Sequence, residues 1–400
     1  MKKMMCLLLV ICLLLAACDF KTPGSNGTLP SGNSIYQGDP ELAAQNKYLR
    51  WNHGWPLIER ENVFYGLLGG RAFYYDRQSG FSDFLCADPS CTHESKDCGS
   101  YLEQNADMFT YYDGKLYWLA PSDPETFRSK CLYRCDPDGT NREKVMELDY
   151  ERIIIGYNPQ QWMLHQGKLF FRGDVEVVNG KQAGYRLTFG YIPLDGDEEE
   201  VLLYDEFFEQ ASTNEEMIFW GDTAYYAVKD GLAHTLEILQ FNLQDNSRET
   251  LLTTDEWPYM LALWATEEGT VYLSSTEALY QVQNGELKEV FSFDKGGYAH
   301  LGDGVALTSA VEDGIRTIEL RTYTGEMIYQ GDLFPEQVEG FGDTLGRYSG
   351  PDDYGCVFLG VDTEKLIVCM TERGGMNHVF LLDINNGMKA THLWSGTPLL

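Results

Sequence analysis

The stretch from Asp113 to Ala120, DGKLYWLA, places a tight Asp-Gly turn directly before a short run of apolar and aromatic residues. Asp-Gly is a strong hairpin signal because both turn residues tolerate a positive φ. The same phrase, a turn followed by an apolar strand, recurs along the chain, which indicates a repeated β unit. Its seven copies begin at Gly69-Gly70, Asp113-Gly114, Gln166-Gly167, Gly221-Asp222, Glu268-Gly269, Asp303-Gly304 and Asp362-Thr363-Glu364.

A second turn follows each copy, after an alternating strand such as CLYRCD at residues 131–136. These turns are Ser79-Gly80, Asp138-Gly139, Asp195-Gly196, Asp245-Asn246, Asn284-Gly285, Thr324-Gly325 and Asn386-Gly387. Two turns per unit imply two hairpins and therefore four strands. The units recur roughly every 35–60 residues, which is typical of propeller blades. The pattern predicts an all-β fold, a β-propeller with seven four-stranded blades, although six or eight blades also fit.

The first unit is shorter than the others. This spacing predicts only three strands there, with the ring closed by an N-terminal strand such as Glu61–Gly66. A pair of β-sandwiches would not require seven two-hairpin units. Parallel βαβ architectures require amphipathic helices between the strands, and helices of adequate length are not indicated.

The N-terminus reads as an export signal. Lys2 and Lys3 precede an apolar run, Met4–Leu15, and small residues then lead to Cys18. A helix over that run would rise about 18 Å, short of the roughly 30 Å needed to cross the hydrocarbon core. The pattern is typical of a secretory signal peptide over residues 1–17. Leu-Ala-Ala-Cys at 15–18 resembles the bacterial lipobox, and this resemblance implies acylation of Cys18 after cleavage.

The rest of the chain divides into two parts. Residues 18–38 carry the acylated cysteine and a Gly-, Ser-, Pro- and Asn-rich stretch, whose composition is that of a flexible tether. Residues 39–400 would form the propeller. We therefore expect a domain held by the lipid anchor on Cys18 at the extracytoplasmic face of the cell membrane.

The charge limits the class of partner. The formal net charge is −31, and cleavage would remove Lys2 and Lys3, making it −33. This balance argues against long-range attraction to nucleic acid or to an anionic lipid surface. The apolar content of 44% is ordinary for a folded globular protein.

One segment concentrates residues that bind metals. Cys86, Cys91, His93 and Cys98 follow the spacing C-x4-C-x-H-x4-C within thirteen residues. Three cysteines and one histidine are an ordinary ligand set for tetrahedral zinc. The spacing matches no standard zinc finger, and exported domains often oxidise their cysteines. A structural zinc site, a disulfide with one free thiol, and three reduced thiols therefore all remain open, and in the first two cases the role would be structural.

The phrase FLCADPSCTHESKDC at residues 84–98 resembles one found in a family of uncharacterised propeller lipoproteins, mostly of Gram-positive bacteria. Phrases such as LYRCDPDGTN at 132–141 are similar to the repeat of that family. The resemblance implies a propeller fold and a lipid anchor. It implies no activity, because none is assigned to the family.

Seven cysteines follow Cys18, and an odd number cannot all pair within one chain. Cys131 and Cys135 lie on one predicted strand, roughly 13 Å apart at the strand rise, which is too far for a disulfide. Cys356 and Cys369 flank one hairpin, so a cross-strand disulfide between them is geometrically feasible.

The chain carries neither H-E-x-x-H nor G-x-S-x-G, and its other histidines are dispersed, which favours packed or surface roles for them. Three functions fit. The first is a non-catalytic binding or scaffold module for an envelope protein, peptide or glycan. The second is an enzyme acting on an envelope glycan or peptide in the propeller channel. The third is metal capture or sensing through the cysteine-histidine segment.

Overall fold

A computed structural model describes residues 57–102, 106–122, 129–149, 162–179, 182–194, 200–208, 213–230, 235–255, 262–266, 268–294, 298–341, 345, 355–372 and 375–396. The predicted signal peptide, Cys18 and the tether lie outside these residues. The described residues form strands and turns, and no helix among them is long and apolar enough to cross a bilayer.

The described strands form seven four-stranded antiparallel sheets, which confirms the predicted all-β, seven-bladed propeller. Each blade uses four consecutive strands, so its order in space is its order in the chain. Blade 1 consists of β1 Leu57–Glu59, β2 Val63–Leu68, β3 Arg71–Asp76 and β4 Phe81–Phe84, and blade 2 of β5 Asp107–Tyr112, β6 Lys115–Pro121, β7 Ser129–Cys135 and β8 Glu143–Asp149. Blade 3 consists of β9 Trp162–His165, β10 Lys168–Asn179, β11 Gln182–Pro193 and β12 Val201–Phe208, blade 4 of β13 Thr213–Trp220, β14 Thr223–Asp230, β15 Thr235–Asn242 and β16 Arg248–Thr254, and blade 5 of β17 Ala262–Ala265, β18 Val271–Ser274, β19 Ala278–Gln283 and β20 Glu286–Ser292. Blade 6 consists of β21 Tyr298–Gly302, β22 Val305–Glu312, β23 Ile315–Thr322 and β24 Met327–Asp332, and blade 7 of β25 Gly355–Val361, β26 Lys365–Thr371, β27 Asn377–Asp383 and β28 Lys389–Gly396.

The first strand of a blade lies innermost, since it contacts the first strand of the next blade; β1 contacts β5, for example, and β17 contacts β21. Apolar side chains fill the space between neighbouring blades. Tyr65 of blade 1 and Trp118 of blade 2 belong to one such buried cluster, and Leu307 of blade 6 and Val368 of blade 7 belong to another. Stacking of sheets through these clusters holds the ring together.

Two of the predicted turns illustrate the backbone that their residues favour, and Asp195-Gly196 lies outside the described residues. Asp113 and Gly114 have φ of 42° and 79°, and Asn284 and Gly285 have 53° and 79°. Two consecutive residues with positive φ define the type I′ turn, whose twist matches that of the flanking strands. The sequence signal for the hairpins therefore has a direct conformational cause.

Blade 1 differs from the prediction. It has four strands instead of three, because β1 precedes the segment that was expected to close the ring, and β2 occupies most of that segment. The Gly69-Gly70 turn joins β2 to β3, whereas the corresponding turns of the other blades join the first strand to the second. The missed strand has three residues, too few to show alternation. It enters β2 through a turn without glycine, in which the amide of Arg60 donates to the carbonyl of Val63 at 2.8 Å.

Side chains join blade 7 to blade 1. The ring of Trp394 on β28 stacks on Phe73 of β3, with centroids 6.3 Å apart and planes at 8°. The Lys365 ammonium contacts the Glu59 carboxylate at 2.8 Å, and Arg77 contacts the same carboxylate at 3.1 Å. Gly66 leaves the space that Trp394 occupies, since a Cβ there would overlap the indole. In the part of the chain that the structure describes, these two blades share no strand.

Candidate metal centre

The segment that carries the metal-ligand pattern, residues 86–98, is called here the cysteine-histidine loop. It leaves the outer strand of blade 1 and returns to the edge of β3. The amide of Leu85 donates to Ala72 O at 2.8 Å, and the amide of Ala72 donates to Ser100 O at 2.8 Å. The amide of Leu102 then donates to Gly70 O at 2.7 Å. Both ends of the loop are therefore fixed by backbone hydrogen bonds to one strand.

The four predicted ligands converge. One ligand atom from each of Cys86, Cys91, His93 and Cys98 lies within 4.8 Å of all the others. Donor atoms of a tetrahedral zinc ion with sulfur at 2.3 Å are about 3.5–3.8 Å apart. His93 Nδ1 and Cys98 Sγ already meet at 3.2 Å, so the longest separation needs to shorten by only about 1 Å. Among the described residues, this is the one group of three or more His, Cys, Asp or Glu side chains that could hold a metal ion.

Local backbone geometry aims the ligands inward. His93 has a left-handed φ of 58°, and its amide donates to Cys91 Sγ at 3.4 Å. The carboxylate of Asp88 accepts from the amide of Ser90 at 2.8 Å, and this turn precedes Cys91. Gly99 lies behind the Cys86 thiol, since a Cβ on Gly99 would come within 3.1 Å of Cys86 Sγ. Glycine is thus the residue that allows this thiol to approach.

The surroundings stabilise a thiolate at Cys98. Burial raises its pKa, but hydrogen bonds from the Ser100 hydroxyl and from His93 outweigh burial and lower the pKa to about 6. The Ser100 hydroxyl oxygen lies 3.1 Å from Cys98 Sγ, and the Ser100 amide donates to that sulfur at 3.3 Å. For Cys91, the hydrogen bond from the His93 amide lowers the pKa, but desolvation and the neighbouring thiols Cys98 and Cys86 raise it overall. The loop therefore favours one thiolate by itself, and a divalent cation would favour ionisation of the others.

Groups around the ligands orient the imidazole. Asp83 Oδ1 lies 4.0 Å from His93 Nε2, on the side of the ring away from Cys98. The His93 ring packs on Phe84 with centroids 4.9 Å apart. A carboxylate facing the second ring nitrogen is the usual outer partner of a zinc-bound histidine. This arrangement leaves Nδ1 facing the sulfur atoms.

The loop also connects two blades. Leu85 and Leu102, at its two ends, belong to the buried cluster between blades 1 and 2. Arg142 of blade 2 donates to Tyr101 O at 2.9 Å, and its guanidinium lies 5.4 Å from the Trp118 ring centroid. A metal ion in the loop would fix the segment that connects blade 1 to blade 2.

The remaining cysteines lie apart from the loop. Cys131 and Cys135 both lie on β7, as expected, and both are buried free thiols. Burial raises the pKa of Cys135 to about 12, so it is a neutral thiol at pH 7.

The hypothesis of a cross-strand disulfide between Cys356 and Cys369 is wrong. Cys356 pairs with Met370, and Cys369 pairs with Val357. Paired residues share a face of a sheet and successive residues alternate, so the two thiols point to opposite faces. Cys356 packs with the cluster between blades 6 and 7, whereas Cys369 packs with the cluster between blades 7 and 1. Both are free thiols.

A polar network in blade 7 gives no sequence signal. His378 Nδ1 lies 2.6 Å from the Ser395 hydroxyl, and His378 Nε2 lies 2.9 Å from the Glu372 carboxylate. Its connectivity is that of a nucleophile, a base and an orienting carboxylate. His392 Nε2 also contacts the Ser395 hydroxyl at 2.8 Å. The Ser395 hydroxyl therefore forms hydrogen bonds with two imidazoles. His378 is only 5% exposed. We therefore assign the network to fixing the end of β28.

No protein-family model matches the chain, and no curated protein sequence matches it. Solved structures share its fold. A structure from work on two prolyl endopeptidases matches with a TM-score of 0.55 and 11% identity, covering 90% of this chain and 52% of that one. An acylaminoacyl peptidase matches with 0.48 and 13%, covering 87% and 53%. The β-propeller domain of the Trilobed protease from Pyrococcus furiosus matches with 0.47 and 14%, covering 86% and 98%.

The chain spans about half the length of the two peptidase structures. At these identities the similarity shows the fold alone. It agrees with the seven-bladed propeller built by the strands of this chain.

Proposed function

We propose that this chain is an extracytoplasmic, lipid-anchored β-propeller that acts as a binding or scaffold module, with a structural zinc ion in the cysteine-histidine loop. The observation that carries the zinc assignment is the convergence of Cys86, Cys91, His93 and Cys98 within 4.8 Å. The anchor rests on the lipobox resemblance at residues 15–18. The position of the metal site in the connection between blades 1 and 2 favours a structural role over catalysis.

Three features of the loop distinguish such a site from a metal-capture site. Cys98 is buried, and the other three ligands are half-buried. The loop is closed by backbone hydrogen bonds at both ends. All four ligands are supplied by the protein, which leaves no coordination position for substrate or water. A closed, partly buried site of this kind exchanges its metal slowly.

The test is the metal content and free-thiol count of the full chain, purified without added metal or chelator. We expect one zinc ion per chain in the wild type and none in a Cys91→Ser/His93→Ala double variant. Cys356→Ser is the matched control, because it removes a thiol outside the loop and should retain the zinc. A wild type without metal, in which fewer than all seven of the cysteines after Cys18 are free thiols, would replace zinc by a disulfide in the loop. Rapid exchange of the zinc with a weak chelator would favour metal capture instead.

A further inference from the structure

A cavity lies between blades 6 and 7, far along the chain from the cysteine-histidine loop. The apolar cluster between these blades includes Leu307, Leu320 and Phe358. Near the β22–β23 hairpin these apolar side chains no longer fill the interface, and a cavity of about 350 Å³ lies there. Its lining includes His300, Ser309, Val311, Arg316, Cys356 and Phe358. This volume is in the range of sites for small ligands.

The strand register explains why these side chains face the cavity. Leu307 pairs with Leu320, Ser309 with Ile318, and Val311 with Arg316. Because residues two apart on a strand share a face, Ser309, Val311 and Arg316 lie on the same side as Leu307 and Leu320. That side packs on blade 7. The cavity is thus the continuation of the apolar interface into a region with a cation and a hydroxyl.

Arg316 is half-buried, and no carboxylate or other acceptor among the described residues pairs with its guanidinium. Three other arginines do have a carboxylate partner, since Arg134 pairs with Glu143, Arg186 with Asp205, and Arg321 with Glu319. The chain has 61 acidic residues against 30 basic ones, so an unpaired arginine is not due to a shortage of carboxylates. Removing a cation from water without a partner is unfavourable, and an anion in the cavity would offset that cost.

The neighbouring thiol does not supply this charge. Burial raises the pKa of Cys356 to about 12 even though Arg316 lowers it. Cys356 is therefore neutral at pH 7 and leaves the guanidinium unneutralised. The remaining polar groups are the Ser309 hydroxyl and the His300 imidazole, whose ring meets Phe358 edge-on at 4.7 Å. The walls are otherwise apolar.

We propose that this cavity binds a carboxylate attached to an apolar or aromatic group. The planar fork of Arg316 matches a carboxylate bidentately, and Phe358 and Val311 line the space for the apolar part. A free organic acid and the C-terminal residue of a peptide both present this chemistry. The inference rests on the binding role proposed above and assigns it a place and a ligand class.

The experiment is calorimetric titration of the full chain in detergent at pH 7, with protein-free micelles as the blank. The probes are 3-phenylpropanoate and N-acetyl-Ala-Phe, each compared with its carboxamide. We expect at least one acid to bind and its amide to bind about tenfold more weakly or worse, since the charge-assisted hydrogen bonds are lost. Binding of the small acid alone would identify a free organic acid, and tighter binding of the dipeptide would identify a peptide terminus.

Arg316→Gln should weaken binding of the acid by about tenfold or more and bring it to the level of the amide. Arg248→Gln is the matched control, because Arg248 is exposed and lies outside the cavity, and it should bind as the wild type does. If Arg316→Gln fails to fold, Arg316→Lys keeps the charge and loses the fork, and it should bind the acid more weakly than the wild type.

Absence of binding of both acids at millimolar concentration would overturn the proposal. So would equal affinity for acid and amide, or an equal loss in the Arg248→Gln control. Zinc content is measured on the same samples. Absence of zinc would contradict the proposed zinc site, whereas absence of acid binding would contradict the proposal for the cavity. The two failures are therefore distinguished.

Discussion

At the scale of single residues, Gly99 controls how closely the Cys86 thiol approaches the other ligands. A methyl group at Gly99 would come within 3.1 Å of Cys86 Sγ and 3.5 Å of the Cys86 Cα. We predict that Gly99→Ala weakens zinc retention against a competing chelator by about tenfold or more, because the thiol is displaced from the ligand set. Gly355→Ala is the control, since its Cβ would meet Thr371 at an ordinary 3.6 Å. Equal zinc retention in both variants would contradict the prediction.

His165 sets a pH dependence of stability. It is fully buried, its Nε2 lies 2.7 Å from Gly221 O as the donor, and burial lowers its pKa to about 4. In the unfolded chain the imidazole binds a proton near pH 6.5, whereas in the folded chain it does not. The free energy of unfolding should therefore fall as the pH is lowered from about 6.5 to 4, by up to roughly 3 kcal/mol.

The contribution of His165 is isolated with His165→Gln, whose amide can still donate to Gly221 O. Urea unfolding at a series of pH values should show a shallower decline for this variant than for the wild type, since the other titrating groups are common to both proteins. Parallel pH profiles would show that the imidazole is not the cause.

Local and distant clusters differ in how visible they are in a sequence. The cysteine-histidine loop was predictable because all four ligands fall within one segment, Cys86–Cys98. The cavity at Arg316 was not, because its lining comes from β21, β22, β23 and β25. Cys356 and Cys369 flank one hairpin, but a shift of one residue in register decides which face each thiol occupies. That shift gives no local sequence signal.

At the scale of elements, the contact between blade 7 and blade 1 depends on Trp394. This side chain is 5% exposed and stacks on Phe73. We predict that Trp394→Ala lowers the free energy of unfolding by about 3–5 kcal/mol, as for other buried aromatic truncations. Hydrogen exchange of the native protein should become faster mainly in β1–β4 and β25–β28, because those strands border the cavity that is created.

Trp264→Ala provides the comparison for that experiment. Trp264 is 4% exposed and belongs to the buried cluster around blade 5. Its truncation should cost a similar amount and speed exchange in blade 5 and its neighbours instead. The same exchange pattern in both variants would argue against a closure contact at Trp394.

Elements with strong turn chemistry were predictable and the weakest one was not. Turns such as Asp113-Gly114 can be recognised in the sequence because few residues other than glycine, asparagine and aspartate accept positive φ. β1 has three residues and no such turn. Blade 1 was therefore assigned one strand too few, although the count of seven blades was correct.

At the scale of the whole molecule, the proposed zinc ion should add stability without being required for the fold. The clusters between the other blades are mainly apolar, and among the described residues no second group of potential metal ligands converges in them. We predict that chelation lowers the Tm and leaves the far-UV circular dichroism spectrum unchanged at room temperature, and that added zinc restores the Tm. Loss of the β spectrum on chelation, or an unchanged Tm, would contradict this.

The proposed anchor concerns the whole chain as well. We predict that Cys18→Ser abolishes incorporation of radiolabelled palmitate in a bacterial host and moves the chain out of the membrane fraction, since acyl chains supply the membrane affinity. Cys12→Ser, another cysteine that precedes the tether, should leave both unchanged. Retention of Cys18→Ser in the membrane fraction would require a different anchor.

Because each blade is one uninterrupted stretch of chain, the point at which the polypeptide enters the ring is independent of how the sheets are built. A circularly permuted gene that opened between two blades would still encode each sheet whole, and duplication of a single segment would add a complete blade. The connection between blades 1 and 2 is different. An opening within the cysteine-histidine loop would divide Cys86 from Cys98, so the candidate metal ligands would lie at opposite ends of the chain.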